Sequence, residues 1–350
     1  MLWLVIWTAT ASGAAGAPAS GDTPAAISLP RDHGAHPEQR IEWWYFTGRL
    51  QGERLGEAGF QFTLFRTRMP RGDWQRNPSS FTPHQVYMGH AALSRLQDRR
   101  HRHAQRISRQ YPGFADAAAD RLDVRIGDWS LREAQGQWRG SFSVGDDRFE
   151  LVFDAPFDAV LHGDGGISRK AEEPAFFSHY YSLPRLRVRG EHHDRQGSEP
   201  VQGVAWMDHE WSDALLPPGA AGWDWFGLRL DDGSSVMAFR IRAEDGGERY
   251  RTATLVGPDG SSRTLGVQEV ALEPDGKLWR SPRTGAGYPL RWRLRIAGMT
   301  LVVRAVFPEQ EMAGMGWGPD YWEGAVTVSG DRAGEGYMEL TGYGGPPVAR

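Results

Sequence analysis

The chain has 350 residues, 40% of them hydrophobic, and 40 lysines and arginines stand against 44 acidic residues for a net charge of -4. That length supports two domains with buried cores, and the evenly mixed charge lacks the basic footprint of a nucleic-acid binder. The absence of cysteine excludes disulfides, thiolate metal ligands, a cysteine nucleophile and a lipidated N-terminal cysteine.

The chain opens with "MLWLVIWTATASGAAGAPAS", an apolar stretch from Leu2 to about Ala9 followed by small residues near Ala15 to Ala17. This predicts an export signal over 1–17, a periplasmic or secreted protein, and a loose leader over 18–35. The stretch falls short of the roughly 20 apolar residues that span a bilayer, so no transmembrane segment is expected in the mature chain. Next, "RIEWWYFTGRL" reads as a strand with Glu42, Trp44 and Phe46 on one face and Trp43, Tyr45 and Thr47 on the other. Residues 122–155 alternate apolar and polar in short runs punctuated by Gly127-Asp128, Gln135-Gly136 and Gly145-Asp146, the pattern of a β-meander.

"GVAWMDHEWSDALL" follows at Gly203 to Leu216. As a strand it turns Met207, His209 and Trp211 one way and Trp206, Asp208 and Glu210 the other. A lone histidine in such a row is more often a core residue with one hydrogen bond than a catalytic one, but Asp208, Glu210, Asp213 and Asp224 crowd it here and put the two readings level. Further strands are expected at 222–242, around Asp231-Asp232-Gly233, and at Tyr288 to Phe307. Many short strands with 44 glycines for the turns argue for barrels or sandwiches.

An internal repeat divides the chain. "WWYFTGRL" at 43–50 lies on "WDWFGLRL" at 223–230, an offset of 180, and "FTLFRTR" at 62–68 lies on "VMAFRIR" with Arg66 on Arg240, an offset of 174. Two tandem units are expected, at 36–170 and 171–345. Each heads an apolar row with a carboxylate: Glu42 in the first, and Asp224 with Phe226 and Leu228 in the second. Such a carboxylate caps a strand end, or burial raises its pKa and makes it an acid. Glu323 and Glu339 are expected to be structural. Asp208, His209 and Glu210 are potential metal ligands, yet neighbours on one strand diverge, so neither a metal nor another cofactor is expected. No HExxH, Walker, GxSxG or dinucleotide fingerprint is present.

The blocks "HPEQRIEWWYFTGRL", "GFQFTLFR", "YMGHAALSRL", "SHYYSLPRLRVRG", "VAWMDHEWSDALL", "GWDWFGLRLDDGSSVMAFRIR" and "YWEGAVTVSG", in this order, resemble the family that joins AttH-like secreted proteins with the carotenoid 1,2-hydratases. The resemblance covers about His36 to Tyr343 and implies an all-β fold of two tandem lipocalin-like (calycin) barrels. In the hydratase branch it implies a His-x-Trp pair with a nearby tyrosine and aspartate, acting in acid–base addition of water to an isolated alkene. His209 and Trp211 match the pair and Asp224 the aspartate. Trp223 or Trp225 stands where that branch has tyrosine.

Two functional classes follow. In the first, the protein binds an apolar small molecule, lipid, isoprenoid or polyketide, and serves an envelope ABC transporter, with Trp44, Phe46, Met207, Trp223, Trp225 and Phe226 lining the pocket. The second is a hydratase in which Asp224 protonates the alkene, His209 deprotonates water and tryptophan faces steady the cation. Because the tyrosine has no clear match, binding is placed first.

Overall fold

The computed structural model describes residues 25–69, 84–214, 216–314, 316 and 318–344. The expected export signal lies outside the described residues, as does the leader up to residue 24.

Alternating side chains do in three dimensions what their period requires. Two antiparallel sheets, one of thirteen strands and one of ten, curl into nearly closed barrels, and a two-stranded ribbon stands apart. In the first sheet, strand Ile41–Gly52 pairs with Gly56–Arg68 on one side and Gly197–Ser212 on the other. Gly197–Ser212 continues into Phe177–Asp194, which pairs with Asp147–Asp154. The meander read from sequence is present as Asp123–Ile126, Trp129–Ala134, Gln137–Val144 and Asp147–Asp154. Its turns pass through Gly127 and Gly145 at φ of 64° and 62°, where a side chain would be strained. The edge strand Arg100–Arg109 closes the curl by setting the Arg106 guanidinium 4.6 Å over the Trp129 ring.

The second sheet runs from Ala220–Leu230 and Ser235–Ala243 to Tyr321–Gly330 and Gly334–Leu340. The passage between sheets therefore falls between Ser212 and Ala220. Residues 171–212, assigned to the second unit on sequence, include two strands of the first sheet. The loop-like composition of 155–180 comes from two short strands, Val160–Leu161 and Ile167–Arg169, which pair with Phe177–Asp194.

The repeat survives with a shifted register. Glu42 lies opposite Arg66, and Asp224 lies opposite Arg240. Glu42 therefore corresponds to Asp224, an offset of 182 where aromatic matching predicts 180. The two hairpins differ by eight residues (66 - 42 = 24 against 240 - 224 = 16), not six.

Three large apolar clusters, with a small fourth of Ala92, Met312 and Tyr321, hold the described residues together. Trp44, Phe46, Phe60, Phe62, Phe142 and Phe153 fill the first barrel, and Phe226, Leu228, Trp292 and Leu294 fill the second. A third cluster, with Tyr45, Tyr180, Trp206, Trp225, Phe239 and Tyr337, lies between the barrels. Each fully buried large apolar side chain stabilises by about 1.5–3 kcal/mol, so this seam joins the two units firmly.

Candidate functional site

The expected site residues separate into three places, because alternation sends neighbours to opposite faces of one sheet. Trp44, Phe46 and Met207 pack in the first barrel's core and Phe226 in the second's. Trp223 and Trp225 belong to the seam. His209 with Trp211 lies in the first barrel and Asp224 in the second, so the two expected catalytic groups do not meet.

In the first barrel, Glu42 and His209 are both fully buried. His209 Nε2 is 3.0 Å from Glu42 Oε1 and its Nδ1 is 3.1 Å from the Tyr181 hydroxyl. Tyr181 comes to His209 from the neighbouring strand Phe177–Asp194, a contact that the sequence did not indicate. His36 Nδ1 is 2.7 Å from Glu42 Oε1, and Arg66 Nε donates to Oε2 at 2.7 Å. Trp211 stacks between His36, at 3.7 Å, and His179, at 5.1 Å. Burial opposes the charge on Glu42, but the hydrogen bonds of His209 and His36 and the Arg66 guanidinium outweigh it and hold the carboxyl well below the usual range. Burial lowers the His209 pKa against the pull of Glu42. This cluster thus contains a fixed carboxylate and a neutral imidazole, neither of them a proton donor strong enough for an alkene.

Asp224 is also fully buried, held by Arg240 Nε at 2.6 Å, Arg242 Nε at 3.4 Å and the Tyr343 hydroxyl at 2.9 Å. Burial holds its pKa above the usual carboxylate value although both arginines pull it down. Arg240 lies 4.6 Å over the Trp292 ring. Two guanidiniums on one carboxylate make this a satisfied ion pair rather than an acid awaiting substrate.

The seam gathers the residues that the alternation turns outward from both barrels. Asp208 Oδ1 accepts from Trp206 Nε1 at 2.6 Å and from the Ser182 hydroxyl, and Oδ2 accepts from Tyr180 at 2.9 Å. Tyr180 in turn accepts from Trp225 Nε1 at 3.0 Å, and the His162 ring bridges Ser182 and Thr254. Burial raises the Asp208 pKa to about 7 against these three donors. Glu210 pairs with Lys170 at 2.7 Å. From the second barrel, Glu323 and Glu339 face each other as cross-strand partners, and Trp223 Nε1 is 3.2 Å from Glu339 Oε2. Burial raises both, and each also feels like charges: Glu339 acts on Glu323, and Asp208 and Glu210 act on Glu339. Glu323 Oε1 makes no hydrogen bond of normal geometry. Asp208, Glu323 and Glu339, expected to be secondary or structural, are thus the groups brought together with perturbed acidity. Tyr180 and Lys170 were missed. The Tyr180-Tyr181 doublet carried a signal, since two hydroxyls on opposite faces of one strand serve two sites.

Among the described residues no helix is long and apolar enough to cross a membrane. The AttH-like family pattern matches residues 20–343. A protein of Nitrosomonas europaea described as an AttH has 37% identity and a TM-score of 0.84, covering 93% of this chain and 99% of its own. Kievitone hydratase from Nectria haematococca shares the fold at 17% identity and a TM-score of 0.70, over 90% of this chain and 92% of its own. No curated protein matches the chain in sequence.

Proposed function

From the premise that the chain belongs to the AttH-like family, we propose that it is a hydratase adding water to an isolated alkene of an apolar substrate, with its chemistry at the seam between the barrels. The observation that carries this reading is Asp208: a buried carboxyl poised near pH 7, walled by Trp206, Trp225 and Tyr180. The hydratase among the structural neighbours supports the reaction class. The filled barrel interiors weigh against a carrier with its ligand in a lumen.

In the proposed cycle the alkene π pair takes the proton of the Asp208 carboxyl, leaving a carboxylate and a carbocation. The faces of Trp223 and Trp225 stabilise that cation by up to about 2 kcal/mol when desolvated. Water attacks it, and the departing proton passes to the carboxylate of Glu339. Solvent exchange between Glu339 and Asp208 restores the start, and the net change is one water added.

The test is incubation of the purified protein with a prenylated phenol and a linear isoprenoid in heavy-oxygen water, read by mass spectrometry. Wild type is expected to add one labelled water and Asp208→Asn to add none while keeping its circular dichroism. Undiminished turnover by Asp208→Asn would remove Asp208 from the mechanism, and a substrate bound and released unchanged by wild type would return the protein to the carriers. Export and service to an envelope transporter remain separate proposals, the former tested by N-terminal sequencing of protein from its own host.

A further inference from the structure

Sequence alternation dismissed a metal because Asp208, His209 and Glu210 point apart along one strand. The fold supplies a different set. His36 comes from the segment before the first strand, Glu42 from that strand and His209 from its neighbour, and one donor atom of each lies within 4.8 Å of the others. Glu42 Oε1 is the point on which His36 Nδ1 and His209 Nε2 converge, at 2.7 Å and 3.0 Å. Donors at about 2 Å from a common zinc stand roughly 3.3 Å apart in a tetrahedron, so the two edges to Glu42 Oε1 would open by about 0.5 Å while the two nitrogens, within 4.8 Å of each other, draw together.

The outward nitrogens are held as ligating imidazoles are held elsewhere. His36 Nε2 is 3.4 Å from the Asp32 carboxylate, and His209 Nδ1 is 3.1 Å from the Tyr181 hydroxyl. With protons on those outer nitrogens, both inner nitrogens would turn from hydrogen-bonding Glu42 to ligating a cation beside it. Arg66 fixes the other Glu42 oxygen, as outer donors do for ligating carboxylates.

The geometry points to a single first-row divalent cation, zinc foremost, held by His36, Glu42 and His209 in the first barrel. Two imidazoles and a carboxylate are a donor set that suits zinc and leaves a fourth position for water. The cation clamps the N-terminal segment through His36 onto the barrel wall. This is independent of the seam chemistry, and either proposal stands if the other fails.

Tag-free full-length protein, purified without chelator, is assayed for metal by plasma mass spectrometry, then stripped and titrated with Zn2+ and Co2+. One zinc per chain is expected, together with the visible absorption of a tetrahedral Co2+ site. His36→Ala removes a partly exposed ligand and is expected to weaken binding by about 100-fold or more, and Asp32→Asn, which leaves all three ligands, by roughly 10-fold. Absence of stoichiometric uptake by wild type would overturn the proposal. So would uptake unchanged in both variants, which would send the cation to another set such as His192, Asp194 and Glu199.

Discussion

At the scale of single residues, two titrating groups give tests of the same sign in different pH windows. Asp208 has a folded pKa raised to about 7, above its unfolded value, so between about pH 4 and 7 the native state holds the extra proton. Its ionisation therefore weakens the fold as pH rises through that window. Asp208→Asn removes the charge and keeps one acceptor oxygen, for Trp206 and Ser182, with the amide nitrogen facing Tyr180. It is expected to be inactive yet more stable relative to wild type at pH 8 than at pH 4, by chemical denaturation at both values. Wild-type turnover is expected to fall as pH rises through about 7, when the acid loses its proton. His192 follows the same sign at higher pH. Its buried ring lies 2.7 Å from Asp147 and 3.0 Å from Glu199, and those two carboxylates raise its pKa although burial opposes them. Both partners are correspondingly lowered. Because the folded pKa exceeds the unfolded one, the stability from the imidazolium is fully present below about pH 6.5 and is lost as pH rises through the folded value. His192→Gln is expected to cost about 2 kcal/mol at pH 5.5 and less at pH 9. An equal cost at both would mean that the ring acts by packing alone.

At the scale of strands and hairpins, each unit begins with a carboxylate paired across a hairpin to an arginine, Glu42 with Arg66 and Asp224 with Arg240. Glu42 and Arg66 are both fully buried, so Arg66→Met strands a carboxylate and is expected to cost about 3–5 kcal/mol in urea denaturation. Arg240→Met is expected to cost less, because Arg242 still faces Asp224. Equal costs would show that the second arginine does not compensate. These pairs also mark what could be read from sequence. Period-two alternation showed the strands and the correct faces of Glu42, His209 and Asp224, because that pattern is local. It could not show that Glu42 opposes Arg66, because matching aromatic to aromatic aligned Trp43 with Trp223 when hairpin register aligns it with Trp225. Nor could it bring Tyr181 to His209 or Glu323 to Glu339, which depends on the order of strands within each sheet. The sheet boundary was missed for a related reason: composition marks loops, while membership of a sheet is decided by pairing partners far away in sequence.

For the whole molecule, the seam does what neither barrel does alone. Asp208 and Tyr180 come from the first sheet, and Trp225, Glu323 and Glu339 come from the second, so the proposed chemistry exists only while the two faces are in register. Gly227 shows how close they stand: a Cβ there would lie 2.4 Å from the Trp225 ring and 3.1 Å from that of Trp206. Gly59 likewise lets the Tyr337 hydroxyl and Ala325 approach from the second sheet. Close-packed interiors transmit such an insertion rather than absorb it. Gly227→Val is therefore expected to push Trp225 and Trp206 apart, loosen the hydrogen-bonded chain from Trp225 through Tyr180 to Asp208, and lower turnover at least tenfold, the effect of roughly 1.4 kcal/mol on the barrier. Because the valine side chain replaces glycine in an intact strand, the β signal in circular dichroism should remain. Wild-type rates in Gly227→Val, with the protein folded, would mean that substrate is handled away from the seam and would direct attention back to the interior of the first barrel.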